Sequence, residues 1–159
     1  MIAPLAPRAV LDTSVLVPAG LRRDLHEAAR RQAFIAIWSP WIIGELYRVL
    51  TWRWLARTPD FSLANEAACS RSAKTMMALL IATFEIVAPV PPYPAAWPSL
   101  TDGDDHPIWA AALLSRAQYV VSENIRHFPP IGQNGRHSYQ GVEYLTARTF
   151  FSRLAQGSS

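Results

Sequence analysis

The chain has 159 residues and a formal net charge of +3; half of its residues are hydrophobic and 17% are charged. That length supports one domain with a real core, and the balance excludes a disordered chain. No apolar run reaches the ~18 residues that a membrane span needs. The first dozen residues lack the basic and long apolar regions of a signal peptide, so none is expected. A single cysteine, Cys69, excludes an internal disulfide and a cysteine-rich zinc site, and fits a cytoplasmic location. Fourteen of the 15 basic residues are Arg. This suits a polyanionic partner, because the guanidinium forks onto phosphate; it equally suits a compositional bias toward Ala and Arg.

In chain order, Ala9–Val17 reads as a buried strand with one acid, Asp12, inside it. Arg22–Gln32 reads as a helix and Phe34–Trp38 as a second strand. Ser39 followed by Pro40 is a strong helix start, and the helix it opens runs to about Arg57. Ser62 can cap a third helix reaching about Thr83, and Glu85–Ala88 is a short strand. Five prolines between Pro89 and Leu100 forbid regular structure there. The run Asp102-Gly103-Asp104-Asp105 opens another helix, followed by a strand at Gln118–Ser122, a loop over 129–140, a strand at Val142–Leu145 and a helix capped by Thr146. Residues 1–155 are expected to form one domain and 156–159 a frayed tail. Strands alternating with helices predict an α/β three-layer sandwich around a parallel sheet of four to five strands, with the ligand site at the carboxyl ends of the strands.

Several acids sit where surface charge would not. Asp12 lies between apolar neighbours, where an unpaired carboxylate is costly. Glu45 falls at the edge of the stripe formed by Ile42, Leu46, Val49 and Leu50, so it is either a boundary residue or a carboxylate aimed at a site. One Asp would satisfy the cap of the helix after residue 105. Asp102, Asp104 and Asp105 together exceed that need, and repelling carboxylates point to a cation. Ser122, Glu123 and Asn124 follow a strand directly, at the same kind of edge as Asp12. Oxygen donors without clustered His or Cys favour Mg²⁺ or Mn²⁺.

The segments LDTSVLV, WIIGELYRVL, DGDDHPIWAAAL and YVVSENIRHFP, with the ending VEYLTARTFFSRL, together resemble the PIN-domain ribonucleases and, among them, VapC-like toxins of toxin–antitoxin pairs. The resemblance implies Mg²⁺- or Mn²⁺-dependent cleavage of single-stranded RNA. By position, Asp12, Glu45 and Asp105 match the family's three acids and catalytic metal ligands. Asn124 stands where many relatives carry a fourth acid, so a neutral amide replaces one negative ligand. Ser14 matches a hydroxyl that positions water or metal; Asp102, Asp104 and Ser122 are accessory. His106 and His127 lie nearby and read mainly as surface residues. Glu123, one residue before Asn124, is expected to point elsewhere.

A haloacid-dehalogenase phosphatase would need an Asp where this chain has Ser14. A receiver domain would need a late Lys, whereas Lys74 is the only one. The alternative from another class is a PIN scaffold that binds RNA or a protein without cutting. A toxin implies an antitoxin whose tail covers the site. Trp38, Trp41, Tyr47, Trp52 and Trp54 gather around one helix, as core packing or as a homodimer or antitoxin interface.

Overall fold

The computed structural model describes residues 5–93, 103–127 and 135–157, with only the backbone of Asp104 and His127. Its strands are β1 (Arg8–Leu11), β2 (Ile35–Trp38), β3 (Glu85–Ile86), β4 (Tyr119–Val121), β5 (Ser138–Tyr139) and β6 (Val142–Leu145). The helices are α1 (Thr13–Leu16), α2 (Ala19–Arg30), α3 (Pro40–Leu55), α4 (Leu63–Ile81), α5 (His106–Ser115) and α6 (Ala147–Gly157). Short 3₁₀ turns occupy Gly103–Asp105 and Ile125–His127.

The strands form one sheet in the order β3-β2-β1-β4-β6-β5, flanked by helices. Every pairing is parallel except β5 with β6. β1 is central: Val10 lies opposite Ile37 on one side and Val120 on the other. All three are fully buried, as expected of a parallel sheet covered on both faces. The chain leaves β1 toward β2 and later returns to β1's other side as β4. The order therefore reverses between β1 and β4, and a crevice opens beyond their carboxyl ends.

Three expectations are corrected. The first strand ends at Leu11 rather than Val17, because Asp12 caps α1 with its side chain accepting from the Thr13 N–H. The apolar run VLV after it is compatible with a buried helix as well as a strand, and its period cannot decide. The sheet has six strands rather than four or five, because Ser138–Tyr139, inside the expected 129–140 loop, pairs antiparallel with β6. Gln140 and Gly141 turn this hairpin with φ of 49° and 81°, the double left-handed conformation of a type I′ turn. Finally, α6 continues through Gly157, so Gln156 and Gly157, expected in a frayed tail, are helical.

The caps that position the site follow from local chemistry. Ser39 accepts from the Ile42 N–H at 3.4 Å and Pro40 occupies the first turn of α3. Ser62 caps α4 through the Asn65 N–H at 3.2 Å. α5 buries Ile108, Trp109 and Ala110 to Ala112, so its apolar run is central rather than amphipathic. It packs against β1, β2 and β4. Arg22, in α2, is buried and donates to the carbonyls of Leu16 and Val17 at 2.8 and 2.9 Å, holding the end of α1. No helix among the described residues is long and apolar enough to cross a membrane.

Candidate active site

Asp12 sits where β1 stops. Its backbone N–H still donates to Val121 of β4 at 3.0 Å, while its side chain is 9% exposed. One carboxylate oxygen, Oδ1, accepts the Thr13 N–H at 2.7 Å. The other, Oδ2, accepts the hydroxyls of Ser14 at 2.7 Å and Ser122 at 2.8 Å. A carboxylate offers about four lone-pair sites, so these bonds fix its orientation and leave capacity toward the crevice. Each hydroxyl in turn accepts a backbone N–H: Ser14 from Glu123 at 3.0 Å and Ser122 from Asn124 at 3.1 Å. The ends of β1 and β4 are thereby laced together through Asp12.

Glu45 lies one and a half turns into α3 and is partly buried. Its Oε2 accepts the Thr13 hydroxyl at 2.5 Å, so neighbouring residues of one turn hold two of the carboxylates. Asp105 ends the 3₁₀ turn before α5 and is partly buried. Burial pushes the Tyr144 phenol well above its ordinary pKa, and the negative charge of Asp105 adds to the shift. Asn124 is exposed, and its Oδ1 accepts from Arg126 Nε at 3.4 Å.

Asp12, Glu45, Asp105, Asn124 and Ser14 line one cavity of about 490 Å³. Thr13 and Arg53 also line it, as do the apolar Val49 and Ile108. Ser122 is buried and does not line the cavity, but bonds three residues that do: Asp12, Ser14 and Asn124. Asp102 and the Asp104 and His127 side chains lie outside the described residues. His106 opens α5 and is not part of the lining. Glu123 points elsewhere: its Oε1 accepts the Ala147 N–H at 3.0 Å at the start of α6.

Sequence reasoning missed three members of this neighbourhood. Thr13 carries a signal in retrospect, because a hydroxyl directly after a capping Asp is free to reach across the cavity. Arg53 follows Glu45 and Val49 at intervals of four, the spacing of one helical row. Tyr144, on β6, feels the charge of Asp105 from a position remote in sequence, and no spacing reveals it.

The donor chemistry fits a hard divalent cation: carboxylate, hydroxyl and amide oxygens, with no sulfur. Asp12 and Glu45 form no ion pair among the described residues. No three His, Cys, Asp or Glu side chains among those residues cluster tightly enough to chelate one ion together. Mg²⁺ is usually held by one or two carboxylates, with water and substrate phosphate completing its shell.

A mostly parallel α/β sheet with an acid-lined cavity over its switch point defines the class of protein. The PIN domain model matches residues 8–126, well over half of the chain, and the chain belongs to the PIN domain family. PIN domains are generally nucleases, which points the site toward hydrolysis of nucleic acid. No curated protein sequence matches the chain.

Proposed function

We propose that the protein is a divalent-metal-dependent endoribonuclease that cleaves single-stranded RNA, acting in the cytoplasm as the toxin of a VapC-like toxin–antitoxin pair. The observation that carries this reading is the convergence of Asp12, Glu45 and Asp105 on one cavity beyond β1 and β4. One or two Mg²⁺ or Mn²⁺ ions shared among these acids and Asn124 would polarise the scissile phosphate and lower the pKa of the attacking water. The chain's own residues do the rest. Asp12 presents a fixed negative charge, oriented by Ser14 and Ser122. Glu45 is steadied by Thr13. No side-chain nucleophile is required.

Exposed Trp52, Phe61, Leu63 and Leu79, at 61%, 67%, 83% and 55%, lie on α3, α4 and the link between them. They favour an interface there, and we assign it to a homodimer, with the antitoxin tail reaching the acid cavity and setting an Arg on its carboxylates. A second reading, an RNA-binding scaffold without cleavage, draws on Asn124 in place of an acid. Cleavage of a single-stranded RNA in Mn²⁺, abolished by EDTA and by Glu45→Gln, tests the enzyme. RNA binding without cleavage would select the scaffold.

A further inference from the structure

A second cavity, of about 500 Å³, opens beside the acid site. Among the described residues it is lined by Pro40, Trp41, Pro89, Pro91, Tyr93 and Pro107 with Ser39, an apolar frame with two aromatic rings and no carboxylate or cation. Trp41 is 47% exposed. The linings of the two cavities alternate along the start of α5: Asp105 and Ile108 line the acid site, and Pro107 between them lines the aromatic one.

α3 spans both. Trp41, Glu45, Val49 and Arg53 recur every four residues and form one row about 18 Å long at 1.5 Å per residue. Trp41 lines the aromatic cavity; the other three line the acid cavity. Arg53 is the only cation lining the acid cavity among the described residues, is exposed, and forms no ion pair or hydrogen bond among them.

Resting on the reading of the acid cavity as a nuclease centre, we propose that this row is the track of a single-stranded RNA, with a base stacked on Trp41 in the proline-framed cavity and a backbone phosphate held by Arg53 on the opposite side of the scissile bond. Carboxylates repel a phosphodiester, so the strand must be held on either side of them by something else. A cation can hold a phosphate, and an aromatic face can hold any base without reading its identity. The net charge of +3 assists the approach. The track fixes which phosphate falls between the acids and predicts cleavage at a set distance from a stacked base rather than at a particular sequence.

The test is binding of a labelled single-stranded RNA octamer, followed by fluorescence anisotropy in Mg²⁺, with Asp12→Asn protein as the background so that RNA stays intact. Trp41→Ala should weaken binding about 5- to 150-fold, and Trp41→Phe should restore most of it. Removing the base at one position of the RNA should weaken binding to the background protein and leave the Trp41→Ala form unaffected. Arg53→Ala should lower the slope of log affinity against log salt by about 0.7, one phosphate contact on a single strand. Trp41→Ala and Arg53→Ala forms that bind as the background does would overturn the track, even if the unmutated protein cleaves RNA in a parallel Mn²⁺ assay. Stacking signatures in a protein that does not cleave would uphold the track and overturn the nuclease. Absence of both binding and cleavage would overturn both.

Discussion

Substitution of Asp12 separates its charge from its structural work. In Asp12→Asn the Oδ1 acceptor survives, so the Thr13 N–H stays capped; Asn and Asp cap helices about equally well. The new amide nitrogen replaces the oxygen that accepts from Ser14 and Ser122, and both hydroxyls can turn to accept from it. Charge-assisted bonds of about 1.5–3 kcal/mol become neutral ones of about 0.5–1.5 kcal/mol. Removing one of the cavity's negative charges offsets part of that loss. The net change should stay within about 2 kcal/mol, so Tm should move by less than about 8 °C for a chain of this size. Asp12→Ala deletes both acceptor oxygens and all three bonds. At about 1.5–3 kcal/mol for each charge-assisted bond, partly offset by relief of the cavity's negative charge, it should cost about 4 kcal/mol or more and lower Tm by about 8–16 °C. Both variants should lose Mn²⁺-stimulated cleavage of a fluorophore–quencher RNA, because neither keeps the charge. Wild-type cleavage by Asp12→Asn would refute the role of Asp12. An Asn variant as unstable as the Ala variant would refute the hydrogen-bond reasoning.

Thr13→Val should slow cleavage and destabilise the fold by about 1–2 kcal/mol through loss of the bond to Glu45; Thr13→Ser should recover both, measured by urea unfolding and turnover. Asn124→Asp should tighten Mn²⁺ binding, because a carboxylate attracts the ion more than an amide does; titration at matched pH and salt that finds unchanged or weaker binding would remove Asn124 from the site. Glu123→Ala should cost about 1 kcal/mol by uncapping the Ala147 N–H while leaving cleavage intact, whereas a loss of cleavage without loss of stability would make Glu123 part of the site. The Tyr144 pKa is raised in the folded state, so the folded protein holds this proton longer than the unfolded chain, and stability should fall as pH rises above about 10. Tyr144→Phe should flatten that alkaline decline in unfolding midpoints, and an unchanged decline would assign it to other groups.

The sheet was legible because its strands are apolar runs bounded by strong helix starts: Ser39-Pro40, Ser62 and Thr146 mark where helices begin. Thr13–Leu16 was misread because a short buried helix and a buried strand have the same apolar composition, and only the side chain of Asp12 decides between them. β5 was invisible because two residues in a polar loop carry no period; pairing with β6 makes them a strand. Within the site, Asp12 and Glu45 stood out as acids within or beside apolar runs and Asp105 as one of three acids crowding a helix start, and the resemblance gave them their order. The hydroxyl lacing of Ser14 and Ser122 around Asp12 spans 110 positions, and the proximity of Asp105 to Tyr144 crosses from one helix start to a distant strand. No local pattern encodes such contacts.

That lacing also sets a schedule. Asp12 leaves the ribosome 110 residues before Ser122, its partner across β1 and β4. Until β4 docks, Asp12 has its local cap and Ser14 but neither Ser122 nor the Asn124 edge of the cavity, and contacts so remote in sequence are the slow ones to form. A partly made chain therefore carries all of the early acids without an assembled centre. The cavity beyond β1 and β4 is thus incomplete during most of the chain's own synthesis, and topology alone delays its assembly until β4 is made.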